Sequence, residues 1–409
     1  MTRSRPRLTL IAIRCLCVAV LAGGCSGGDA GITTREVREA PPGIVERALT
    51  PSPVPIPDSA LATAAQMVKN RVAREWFPGA ALAVGNRGLV QRVEAFGRMT
   101  WDEDSPPIRA DSTLFDLASL TKVVATTAAV MALVEDGRLK LDDRVRRWVP
   151  QFSGGDKDSV TVRMLLTHTA GVRAGASDIA SEVPGDVRRY LITRPLALEP
   201  GEEVLYSDIG FVILWIVAQR AAGEPLPRYL EWRVWKPLGM TSTRAGVATP
   251  CTRCAPTLHL ESADGPYTGG SYDEVGRRLD GLAGNAGTFS TAHDLARFAA
   301  MIANEGRLGN VRVFQKATVR AFVRPQPGAG TRALGWEVYC REGKVPDHQA
   351  CRQVYAFGHT GATGTSLWVD PVSRNWVVLL SNRTYLPKDP DVDMQQFRRR
   401  VYDVVTPGE

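Results

Sequence analysis

Three short stretches of this sequence hold side chains that could perform acyl transfer. In Ser119-Leu120-Thr121-Lys122 a hydroxyl and an amine stand three residues apart, so on a helix they share a face one turn apart. A serine hydroxyl becomes a good nucleophile only when a neighbour takes its proton. A lysine can do so when burial or nearby cations lower its pKa. A helix start adds free backbone N–H groups that stabilise developing negative charge. The spacing alone recurs by chance in a chain of 409 residues, so the surroundings carry the weight. Phe115, Leu117, Ala118 and Leu120 lead in, and Val123, Val124, Ala125, Ala128, Ala129 and Val130 follow. A Ser–Lys pair buried among them would be costly without a purpose.

The second stretch is Tyr206-Ser207-Asp208. A phenol beside a lysine can shuttle a proton between the serine and a leaving group; the plainer alternative is a tyrosine at a helix start with Asp208 as its cap. The third is His359-Thr360-Gly361, inside Phe357-Gly358-His359-Thr360-Gly361-Ala362-Thr363-Gly364. Glycines beside a strand let a substrate backbone approach closely, and the Ala362 N–H could join that of Ser119 as an oxyanion hole. The plainer alternative is a glycine-rich turn with an exposed histidine.

Taken in this order, the three stretches resemble the motifs of the serine β-lactamase and penicillin-binding-protein superfamily, nearest its class C β-lactamases and the related esterases and D,D-peptidases. Leu165–Gly171, Gly284–Thr291 and Thr365–Pro371 are similar to further stretches of that family, and the likeness runs over roughly residues 60–405. It implies that Ser119 is acylated and that Lys122 and Tyr206 share the general-base and general-acid roles. It also implies that Ser119 and Ala362 form the oxyanion hole, that Asp208, His359, Thr360 and Gly361 line the substrate, and that His168 is structural support. Two positions depart from the β-lactamase pattern. Asp208 stands where Asn is usual; an ionised Asp only accepts hydrogen bonds and raises the pKa of Lys122. His359 replaces a lysine, removing a fixed positive charge at neutral pH. Both favour an esterase or D-amino-acid peptidase over an efficient β-lactamase.

The elements that must position these residues follow from periodicity. Pro57-Asp58-Ser59 starts a helix over Leu61–Glu75; Gly79–Val84 and Leu89–Phe96 read as strands joined by Gly85-Asn86-Arg87-Gly88. A helix from Ser119 to Glu135 stops at Gly137, a mostly helical stretch runs over roughly 120–290, and Leu334–Tyr339, Thr365–Val369 and Asn375–Ser381 read as antiparallel strands. Val392–Val405 closes the chain as a helix. The fold class is α+β: an antiparallel sheet flanked by terminal helices, with a mostly helical subdomain inserted.

Composition is ordinary for a folded body, 44% hydrophobic and 23% charged. The net charge of +7 owes four arginines to residues 1–24, which hold no acid; the near-neutral remainder argues against a nucleic-acid partner. Arg398-Arg399-Arg400 reads as a solvated helix face. Arg3, Arg5 and Arg7 before the apolar run Leu8–Ala22 make residues 1–24 an export signal, and no later segment reads as a membrane span. Leu21-Ala22-Gly23-Gly24-Cys25 resembles a bacterial lipoprotein signal with Cys25 as the lipidated residue; a plain secretory signal is the alternative. Residues 25–58, with alternating Pro51, Pro53, Pro55 and Pro57, form a tether from membrane to a hydrolase domain at 59–405, placing the protein in the cell envelope.

Cys251, Cys254, Cys340 and Cys351 allow three pairings; proximity favours Cys251–Cys254 and Cys340–Cys351, and half of a zinc site or a redox centre are the other uses of Cys-x-x-Cys. The five histidines form no zinc-hydrolase spacing, and the chemistry implies no metal or cofactor. Two functions compete: an acyl-enzyme hydrolase acting on an ester, amide or D-amino-acid peptide such as a peptidoglycan fragment, and a catalytically weak binding protein that keeps the fold.

Overall fold

The computed structural model describes residues 53–175, 186–247, 249–259, 266–343, 345–346, 348–389 and 391–406. The export signal, Cys25 and the tether as far as residue 52 lie outside the described residues.

The helix α1 (Asp58–Ala73) forms where its apolar residues Leu61, Ala64, Ala65 and Val68 recur at helical spacing, all buried. Strands β1 (Gly79–Asn86) and β2 (Leu89–Gly97) then make a hairpin. After a long insertion come β3 (Glu337–Cys340), β4 (Val354–Thr360), β5 (Ser366–Val369) and β6 (Asn375–Ser381). The six strands order as β3-β4-β5-β6-β1-β2, every neighbouring pair antiparallel. The middle of the sheet is buried on both faces, so β1 is apolar from Gly79 to Gly85 instead of alternating. Ala80, Leu82 and Val84 face an outer layer made by α1 and the closing helix, Met394–Val405; Ala81 and Ala83 face the main core.

That main core is built from the insertion. The helix α2 (Ala118–Glu135) runs through it as a 3₁₀ turn, a π segment from Lys122 to Thr127 and an α segment. It is apolar enough to cross a membrane, contrary to the sequence reading, but 83% of it is buried inside the protein, which makes it a core helix. The helix α3 (Asp208–Ala222) packs beside it. The helix α4 (Ala292–Ala303) lies against β1 and β6, and α5 is the closing helix Met394–Val405. A three-stranded sheet of Phe115–Asp116, Thr288–Ser290 and Arg244–Ala245 carries the lead into α2. Cys251–Cys254 and Cys340–Cys351 are both disulfides.

Two expectations change. The His359 segment is the end of an interior strand, not a turn beside one. Gly358 hides it from pattern reading: a Cβ there would meet the Leu367 carbonyl at 2.1 Å and the Trp368 ring at 2.5 Å, so packing requires glycine inside a strand. The arginine triplet is also not wholly solvated. Arg399 and Arg400 are exposed, but Arg398 is buried on the inner side of α5.

Candidate active site

Ser119 lies on the 3₁₀ turn that opens α2, directly after a tight entry from the strand Phe115–Asp116. Ala118 takes φ +45°, a conformation L-residues rarely adopt. Asp116 holds it there: one carboxylate oxygen accepts the Ala118 N–H at 2.8 Å and the other accepts the Tyr272 N–H at 2.6 Å. Burial pushes this carboxyl up to about 6, against the two N–H bonds that favour its charge.

Lys122, fully buried, is one turn on. Its ammonium donates to Ser119 Oγ at 3.0 Å, to Asp208 Oδ1 at 2.6 Å and to the Asn285 carbonyl at 3.4 Å, which uses all three N–H groups. Burial, the largest influence, pulls its pKa down, but Tyr206 and Asp208 together outweigh it and hold the ammonium above the ordinary lysine value. The sequence argument from Asp208 therefore holds, and Lys122 is a cation here.

Tyr206 Oη is 3.0 Å from Ser119 Oγ. It precedes α3, whose N-cap Ser207 accepts the Gly210 N–H at 2.9 Å and donates to the Arg173 carbonyl. His168 fixes this segment from behind. Its Nδ1 accepts the Ser207 N–H at 3.0 Å, its carbonyl accepts the Leu205 N–H, and its ring lies 4.5 Å from that of Tyr206. Burial holds its pKa well below the usual histidine value, so the ring is neutral.

The end of β4 forms the opposite wall. Thr363 and Thr365 hydroxyls donate to the carbonyls of Asp116 and Leu117 at 2.7 and 2.9 Å, fastening the turn after Gly361 to the turn that carries Ser119. His359 is buried, not exposed. Its Nδ1 donates to the Thr360 carbonyl at 2.7 Å. Burial, then Lys122 and Arg332, lower its pKa to about 3, so it carries no charge at pH 7.

Ser119, Lys122, Tyr206 and Asp208 thus meet in one hydrogen-bonded cluster, with the His359 ring centroid 6.2 Å from that of Tyr206. Among the described residues the carboxylate and sulfur groups offer one close group, Cys340, Glu342 and Cys351, whose two sulfurs are joined in the disulfide. The sequence reading missed three contributors. Asp116 is the lone carboxylate in an apolar run, a signal that was legible. Arg332, whose guanidinium lies 5.3 Å from the Tyr206 ring centroid, left none, and Asn285, which meets Lys122 through its backbone, lies in the family-like stretch Gly284–Thr291 but was given no role.

A model of the β-lactamase family matches residues 64–398. The chain belongs to the β-lactamase family. It is a serine hydrolase, as the three stretches implied. A protein of Salmonella schwarzengrund provisionally named a D-alanyl-D-alanine carboxypeptidase is 32% identical over 333 residues, covering 74% of this chain and 77% of its own. The class C β-lactamase of Rhodobacter sphaeroides superposes with a TM-score of 0.65 at 22% identity, covering 84% of this chain and 98% of that one. A β-lactamase/D-alanine carboxypeptidase of Pseudomonas syringae does so with a TM-score of 0.65 at 20% identity, over 86% and 99%. At these identities the two structures speak for the fold.

Proposed function

We propose that this chain is a D-alanine carboxypeptidase-type hydrolase that works through an acyl-enzyme on Ser119. The observation that carries the reading is that Ser119 Oγ touches both Lys122 Nζ and Tyr206 Oη at 3.0 Å. An ammonium whose three N–H groups are donated has no lone pair, so the base in this step is Tyr206 acting as a phenolate: it takes the serine proton and becomes a phenol as Oγ attacks. The Lys122 charge offsets the phenolate before the transfer and the developing charge on Oγ during it. Oγ bonds to the substrate carbonyl carbon, the carbonyl oxygen becomes an oxyanion facing the Ser119 and Ala362 N–H groups, and the proton passes to the departing amine as the C–N bond breaks. Water then repeats the sequence on the ester and frees Ser119.

For the substrate, the relatives named as carboxypeptidases point to peptides ending in a D-amino acid, the peptidoglycan stem type. Such a peptide ends in a carboxylate, and His359 gives it no charge. Arg332 beside Tyr206 is the cation placed to do so, with Thr360 and Gly361 offering the strand edge. A blocked peptide ending in D-Ala-D-Ala, assayed for D-alanine release beside an uncharged phenyl ester, tests this. Arg332→Met should raise KM for the peptide at least tenfold and leave the ester unchanged. Equal effects on both would remove Arg332 as the carboxylate anchor.

The binding-protein reading is favoured by one observation, the 2.6 Å Lys122–Asp208 ion pair, which ties up the lysine. An acyl adduct that forms on Ser119 and is not released within hours would decide for it. We infer further that the chain is exported to the cell envelope, carried by a signal over 1–24, lipidated at Cys25 and tethered through residue 58 to the domain at 59–405. The two disulfides support an oxidising compartment. Cys25→Ser should move the protein from the membrane to the soluble fraction.

A further inference from the structure

Arg398 is a buried cation with no carboxylate in ion-pair contact among the described residues; Glu337 and Tyr339 act on it only at longer range. Its side chain leaves α5 between Phe397 and Val401, residues of the outer core. Its Nη2 donates to the Gly361 carbonyl at 2.7 Å, while Nε is buried with no partner. Burial lowers its pKa to about 10, so it remains charged at pH 7. A charge held inside a protein with one hydrogen bond is expensive. A docking contact between α5 and the sheet would be met better by an apolar side chain such as its neighbours.

The bond it makes falls on a particular peptide unit. The Gly361 carbonyl and the Ala362 N–H belong to one planar trans amide and point in opposite directions. Fixing the oxygen toward α5 therefore fixes the N–H away from α5. On that other side lies the turn that carries Ser119. A Cβ on Gly361 would meet the Leu117 carbonyl at 2.4 Å, and Thr363 and Thr365 bond to Asp116 and Leu117. The Gly361 N–H is already taken by the Thr365 carbonyl at 2.8 Å, and the Gly361 carbonyl also accepts the Gly364 N–H at 3.1 Å across the turn, so Arg398 is its second and shorter donor and secures the tilt of a peptide the turn holds by one bond; the Ala362 N–H has no backbone partner among the described residues.

We propose that Arg398 is a positioning residue for the oxyanion hole: by holding the Gly361 carbonyl it aims the Ala362 N–H at the reacting carbonyl oxygen on Ser119. The inference rests on the acyl-enzyme reading above. A guanidinium also polarises the amide it binds and makes its N–H a stronger donor. Arg398 touches no substrate; it acts through the Gly361–Ala362 peptide.

The test compares Arg398→Met and Arg398→Lys with Val401→Ala, a cavity one turn along the same helix. Three readouts are taken: thermal stability, kcat and KM on an activated ester, and affinity for an aryl boronic acid, which becomes tetrahedral on a nucleophilic serine. Loss of a whole oxyanion donor costs about 10²–10³ in kcat, so misaiming one should lower kcat and boronate affinity about 10–100-fold in Arg398→Met, with KM within about twofold. Arg398→Lys should recover part of both. Val401→Ala should lose stability and keep kcat and boronate affinity. If Arg398→Met loses stability like Val401→Ala but binds boronate and turns over ester as wild type does, the positioning role is overturned while the Ser119 reading stands. If wild type binds no boronate, the Ser119 reading has failed and the positioning role with it. Should Arg398→Met not fold, Arg398→Ala, which also removes the donor, takes its place, and wild-type kcat and boronate affinity in it overturn the proposal.

Discussion

On the helix side of Ser119 the site is dense with charge: Lys122 meets the hydroxyl, Asp208 and a carbonyl, and Tyr206 closes the cluster. On the sheet side, the end of β4 offers a histidine held neutral, a threonine and backbone amides. In the proposed reaction the first wall changes charge, and its residues face each other from α2 and from the segment Tyr206–Asp208 that opens α3. The second stays fixed, and its geometry comes from the sheet, from the bonds of Thr363 and Thr365, and from Arg398 behind it. On the proposed mechanism the difference is a division of labour in which proton transfer belongs to side chains on and next to helices and oxyanion binding to the turn after a strand end.

The largest break in this comparison is Lys122→Met. It removes the charge from the helix wall and leaves Asp208 without its partner, and kcat should fall by about 10³ or more, since members of a catalytic unit fail together. Ester turnover by stopped assay checks it. A fall below tenfold would show that the sheet wall carries most of the catalysis.

Asp208→Asn is next. Asp208 is among the groups that raise the Lys122 pKa, so removing its charge lets that pKa fall. If the Lys122 charge is needed, the alkaline limb of the kcat profile should move to lower pH. An unmoved limb would mean that Lys122 does not govern it. His359→Lys asks the opposite question by adding a charge to the neutral wall. KM for a peptide with a free carboxylate should drop about tenfold, with an uncharged ester as the control that stays constant.

Much of this was legible beforehand, and the reasons are physical. The hairpin of β1 and β2 announced itself through apolar runs around a Gly-Asn-Arg-Gly turn, and α5 through its spacing. Ser119, Lys122 and Tyr206 could be read because each has only a few uses when buried. The strand β4 was hidden by Gly358 and Gly361, which are there for close packing and not for a loop. Arg398 was hidden by its neighbours: three arginines in a row read as one solvated face, yet α5 turns by about 100° per residue, so only one of them faces inward. Arg332 reaches the site by chain topology alone.

A smaller effect concerns both walls at once. His168 behind the helix wall and His359 on the sheet wall are buried and neutral. An unfolded chain protonates them below about pH 6.5, while folded His359 resists down to about 3, so the folded state loses stability as pH falls across that window. His359 contributes about 1.4 kcal/mol per pH unit there, and His168 acts in the same direction. Urea unfolding at pH 7.5, 5.5 and 4.5 should show the slope, and His359→Gln should reduce it by about one proton; an unchanged slope would mean that His359 titrates normally.

The central claim, that Ser119 is the activated nucleophile, is met most directly by intact-protein mass spectrometry after exposure to a fluorophosphonate, with a penicillin in parallel. A single phosphonyl adduct on wild type and none on Ser119→Ala is the predicted result, and a penicillin adduct on the same residue would add β-lactam recognition. Wild type left unlabelled by both reagents, or Ser119→Ala labelled as well as wild type, would contradict it.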